Sequence, residues 1–141
     1  MSNFNELDVY KTSYDLSIQI FRLTEKMSRT FKYTLGEKLN NNAIALLLSI
    51  YKANSNKEKR YEELQTGREC AVEIRLLFRL AKDLNLISIS RLAVMNDMLD
   101  SISKQFYGWQ KSSFSPQPTK PESQNHPEQN KYMGKKPNTL F

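Results

Sequence analysis

One cysteine, one histidine and four scattered glycines leave this 141-residue chain poorly equipped for the commonest catalytic and metal-binding arrangements. Cys70 stands alone, so no intrachain disulfide can form, which fits a reducing compartment. His126 lies far along the chain from Cys70; the two match no Cys/His zinc spacing and make a poor Cys–His nucleophile pair. Gly36, Gly67, Gly108 and Gly134 never gather into a loop that could cradle phosphate. The longest apolar run, residues 43–48, is far below the ~20 residues that cross a bilayer. The first residues lack the basic-then-apolar pattern of a secretion signal. These absences lead us to expect a soluble, cytoplasmic chain with no membrane partner, no cofactor and no catalytic residues.

Carboxylates are more plentiful, so a carboxylate metal site has to be weighed. Glu69 and Glu73 are one helical turn apart, as are Asp97 and Asp100. Di-metal bundles, however, usually draw Glu-x-x-His pairs from their helices, and this chain has none. No metal site is expected, and the acids read as surface or interhelical partners of Arg and Lys.

What is abundant is apolar spacing at the helical period. Over residues 7–27, Leu7, Tyr10, Tyr14, Ile18 and Phe21 form one row and Val9, Leu16, Ile20, Leu23 and Met27 a second. Thr34-x-x-Glu37 reads as a capping box opening a second helix that runs to about residue 53. A third helix is expected over 57–84. Gly67 inside it costs ~1 kcal/mol against alanine, which suggests a close approach of another backbone. Ser88 or Ser90 caps a fourth helix that ends near residue 111, with Leu92, Met95, Met98, Leu99, Ile102, Phe106 and Trp109 inward. Nothing alternates as a strand would. Short connections between four helices predict an all-α, antiparallel up-down-up-down four-helix bundle over residues 1–112. Residues 113–141, rich in Pro, Ser and Asn, read as a disordered tail.

The net charge is +6. A charge of that size is compatible with a polyanionic partner without demanding one. The third helix is apolar around most of its circumference, yet Arg68, Arg75, Arg79 and Lys82 make a narrow cationic stripe along it. Two readings share these residues. In one, Arg75 and Arg79 pair with acids of neighbouring helices, among them Glu25, Glu37, Asp97 and Asp100, and fix the register. In the other, the stripe joins Arg22, Lys26, Arg29, Lys32 and Lys38 around the first inter-helix connection as a surface for phosphates. The excess apolar perimeter of helices one and three points separately to self-association.

Three separated motifs carry a family resemblance: Phe31-Lys32-Tyr33-Thr34-Leu35-Gly36-Glu37-Lys38, then Arg75-Leu76-Leu77-Phe78-Arg79-Leu80-Ala81-Lys82-Asp83-Leu84, then Tyr107-Gly108-Trp109. Together they resemble the accessory variability determinant proteins of diversity-generating retroelements. The broader relatives are the four-helix bundle proteins encoded in intervening sequences of large-subunit ribosomal RNA genes. The resemblance implies a protomer assembled into a ring-shaped homopentamer. It further implies a non-catalytic accessory subunit whose partners are template-repeat RNA, or RNA and cDNA, and a reverse transcriptase. Lys32, Lys38, Arg75, Arg79 and Lys82 match the recurrent basic pattern. Tyr107 and Ser103 depart from it where glycines are common. The alternative is a bundle of the ribosomal intervening-sequence type, acting as a structural or protein-interaction module without RNA binding.

Overall fold

The buried row of the first helical segment becomes α1 (Asp8–Glu25), which turns Val9, Leu16 and Ile20 inward. The computed structural model describes residues 7–113; it continues through α2 (Arg29–Phe31), a π-helical segment (Lys32–Gly36), α3 (Glu37–Ser55), α4 (Arg60–Asp83) and α5 (Ile89–Ser113). Because α2, the π segment and α3 run on without a break, the described residues form four helical rods, and no strand is present among them. Ser113 closes α5, and the rest of the expected tail lies outside the described residues. Each rod contributes to one core. Leu39, Leu46 and Ile50 come from α3, Leu64, Ile74 and Phe78 from α4, and Met95, Leu99, Ile102 and Phe106 from α5, all fully buried. Burying a side chain of that size stabilises by roughly 1.5–3 kcal/mol.

The connections explain how the rods are aimed. Thr34 is no cap: its hydroxyl donates back to the Thr30 carbonyl at 2.9 Å, inside the π segment. The rod instead opens at Ser28, whose carbonyl accepts from the Lys32 amide at 2.8 Å. The capping-box pattern was met by chance, because the rod has already begun at Ser28 and Thr34 lies inside it, not at the extended position an N-cap takes. Asn85 ends α4 with φ of 62°, a left-handed conformation that asparagine tolerates better than most residues. The Leu86 amide then reaches the Ala81 carbonyl at 2.8 Å and closes a Schellman-type stop. Three residues later Ser88 caps α5, its Oγ accepting from the Arg91 amide at 3.1 Å.

Gly67 has a different cause from the one expected. The nearest neighbours are side chains: an added Cβ would lie 2.5 Å from Cε2 of Phe106 and 2.5 Å from Oγ of Ser49. The missing side chain makes room for an aromatic ring at the junction of α3, α4 and α5. Gly108 on α5 has nothing within 4 Å of that position. The two glycines therefore predict opposite signs. Gly67→Ala should lose about 1–2 kcal/mol, overpacking outweighing the gain in helix propensity. Gly108→Ala should gain about 0.5–1 kcal/mol. Denaturant melts of both variants check the pair, and equal effects would disprove the packing account.

Candidate polyanion-binding end and apolar faces

The structure divides the predicted cationic stripe. Arg75 donates from Nη2 to Oδ1 of Asp100 at 2.7 Å, the one salt bridge among the described residues. Both partners are well exposed, so the pair is worth about 0–1 kcal/mol and fixes orientation more than stability. Arg68 donates to Oε1 of Gln110 at 2.7 Å and lies over the Tyr107 ring at 5.3 Å. Gln110 is buried and uses its amide to donate to the Tyr61 carbonyl and to Gln65. Arg68 and Arg75 thus tie α4 to α5, while Arg79 and Lys82 stay exposed. The acids proposed as further partners, Glu25, Glu37 and Asp97, are also exposed and form no salt bridge among the described residues.

The remaining predicted cations collect at one end of the rods. The hydroxyl of Thr24 donates to Oδ1 of Asn40 at 2.9 Å, placing the end of α1 beside the start of α3. A cleft of about 330 Å³ joins Arg22, Leu23 and Lys26 of the α1 end to Leu86, Ile87, Ser88 and Arg91 at the α4–α5 connection. Segments 22–38 and 79–91 consequently meet at this end. They hold Arg22, Lys26, Arg29, Lys32, Lys38, Arg79, Lys82 and Arg91 against only Glu25, Glu37 and Asp83. Elsewhere among residues 7–113 the charges cancel, nine of each sign. The whole cationic excess of the described chain therefore sits at one end. Lys32 is half-buried there; Arg22, Lys26, Arg29 and Lys38 are exposed.

Arg91 was missed by sequence reading. Its signal was present: the first turn of α5 has no acidic residue and carries an arginine, against the preference of a helix N-terminus for negative charge. A second cleft, of about 390 Å³, is lined by Arg75, Arg79 and Lys82 with Leu76, Leu92 and Asn96.

The helices also keep apolar side chains in solvent. The outer row of α1 remains exposed at Tyr14, Ile18 and Phe21, as do Ile44 and Leu48 on α3. On α4 the sequence implied burial on several sides, but Val72, Leu76, Leu80 and Leu84 are exposed, Leu76 to 64%. That helix buries its Leu64–Ile74–Phe78 face against the core. Chemistry has little to work with elsewhere. Burial pushes the Cys70 thiol above its ordinary pKa, and the Glu73 and Glu69 carboxylates add to the effect. No cluster of His, Cys, Asp and Glu among the described residues could hold a metal, and no described helix is long and apolar enough to cross a membrane.

The described residues are thus all helical, with a cationic end and exposed apolar rows. The family model described as 23S rRNA-intervening sequence protein matches residues 5–108, and the chain belongs to that family. A comparison with curated proteins finds no match.

Because the thiolate is the nucleophile, Cys70 should alkylate far more slowly than a free cysteine at pH 8. Unfolding in denaturant should restore the ordinary rate, which a thiol-reagent time course reads directly.

Proposed function

We propose that this protein is a non-catalytic helical interaction module that self-associates through the apolar faces of its rods. The observation that carries the reading is the set of exposed rows, above all Val72, Leu76 and Leu80 on α4 and Tyr14, Ile18 and Phe21 on α1. Isolated exposed leucines are ordinary, but rows repeating every turn on two rods are what a second copy would cover. An up-down-up-down order of the rods supports this geometry: Arg68 meets Gln110 while Arg75 meets Asp100, so position falls along α5 as it rises along α4. Cyclic closure then repeats one interface around a ring, and the motif resemblance favours five copies. Light scattering on the purified protein should give a mass near five protomers. Leu76→Asp with Leu80→Asp should reduce it to a monomer of unchanged helicity; a wild-type monomer sinks the reading.

The segregated charge favours a second role for the same module: holding nucleic acid at the cationic end. Affinity for a polyanion should then fall steeply with salt, because each neutralised phosphate releases condensed counterions. The narrowest form of this role is accessory subunit to a retroelement reverse transcriptase in the cytoplasm, supported by the three motifs and by the exposure of Arg79 and Lys82. Arg79→Glu with Lys82→Glu should abolish template-dependent cDNA synthesis by the complex while leaving the circular dichroism spectrum intact. Arg75 is left in place, since its loss would strand Asp100. Undiminished synthesis by the double variant would exclude that form.

A further inference from the structure

The cleft at the α1 end, like the one lined by Arg75, Arg79 and Lys82, is concave and has no carboxylate in its lining; it differs in gathering its cations from two separate rods. Arg22 and Lys26 come from the end of α1 and Arg91 from the first turn of α5, with Gln19 and Ser88 as neutral hydrogen-bonding groups. Arg91 is held in place by Gln19, whose Oε1 accepts from Nη1 at 3.1 Å. That bond uses one of the five guanidinium donors and leaves the others for a ligand. Leu23, Leu86, Ile87 and Met95 supply apolar wall. A volume of about 330 Å³ is that of a small-molecule pocket rather than of a long groove.

We propose that this cleft binds a phosphomonoester: a terminal phosphate group carried by a small organic body. A monoester carries about −1.5 to −2 charges at pH 7 and three strong acceptor oxygens. An internal phosphodiester carries a single negative charge, and a run of diesters is served equally well by any spaced set of cations. Three cations converging without a carboxylate suit the more concentrated charge, and the two arginine forks can each grip a pair of its oxygens. The apolar wall is placed to hold whatever body bears the phosphate. This assignment explains why an arginine occupies the first turn of α5, where the helix dipole alone would disfavour it. The phosphate could arrive on a free nucleotide-sized molecule or as the 5′ end of a nucleic acid strand, and the cleft chemistry is the same for both.

The test uses the full chain and two matched probe pairs. Calorimetry compares a nucleoside 5′-monophosphate with the unphosphorylated nucleoside. Fluorescence anisotropy compares one short RNA oligonucleotide with a 5′-phosphate and with a 5′-hydroxyl. At least one phosphorylated probe should bind about tenfold or more tightly than its partner, the yield of one charge-assisted hydrogen bond. Preference in the first pair alone identifies a small ligand, and in the second alone a strand end. Arg22→Gln and Arg91→Gln should each remove the preference, while Lys104→Gln, exposed on α5 and outside the lining of both cationic clefts, should keep it. No preference in either pair overturns the proposal, as does a preference that survives both cleft variants. The 5′-hydroxyl strand reports general polyanion binding separately, so failure of that role and failure of the cleft are told apart.

Discussion

Four rods can enclose only one core, and each rod offers that core a single face. The rest of this structure depends on that constraint. The inner faces are satisfied by Leu16, Ile20, Leu46, Phe78, Leu99 and their neighbours, packed without exposure. Whatever apolar side chains the rods carry beyond those faces must stay outside. Here the surplus is large enough to form rows on α1 and α4. The same constraint pushes charged groups to the rims and the rod ends, where the connections bring cationic segments from distant parts of the chain side by side. Uncovered rows and a charged end thus have one origin in the geometry of a bundle with more apolar surface than its interior can accept.

Polar groups between the rods act as alignment devices. Gln110 is the clearest. Buried on α5, it takes Arg68 on its oxygen and gives its amide to α4 at two points. A buried amide left without these partners would cost about 1–3 kcal/mol, so the bond set specifies how α4 and α5 slide against each other. Arg60 does similar work at the other connection, donating to the Ala53 carbonyl at 2.7 Å while its guanidinium lies 5.8 Å from the Trp109 ring. Basic residues near the chain's turns therefore serve two trades, and a count of charges does not separate them.

Much of the fold was legible because helical spacing of apolar residues is written directly in the chain; the four rods fall within a few residues of where the periodicity puts them. What remained hidden involves partners that spacing does not report. Thr34 and Glu37 have the letters of a capping box, but the helix had already begun at Ser28, so Thr34 lies inside it and no helix starts there. The α4 row of Val72, Leu76 and Leu80 records apolar character without saying what covers it, and among the described residues the row stays exposed. The cationic stripe could not be sorted from sequence, since pairing of Arg75 but not Arg79 depends on where Asp100 falls on a different rod. Arg91 stands more than three turns from Lys104, the next cation of its helix, and became part of a cluster only through the connection that returns α5 toward α1.

The π-helical segment Lys32–Gly36 has a consequence of its own. A wide turn of this kind is how a helix absorbs one extra residue without breaking. Each residue in an α-helix advances the side chains by about 100°. The extra residue therefore works as a rotary offset between α3, whose inward face is locked by the core, and everything before it. Were it deleted, α3 would keep its packing, but Arg29 and Lys32 would swing about a quarter-turn around the rod axis. The direction in which the charged end faces is in that sense set by chain length at one wide turn, independently of which residues carry the charge.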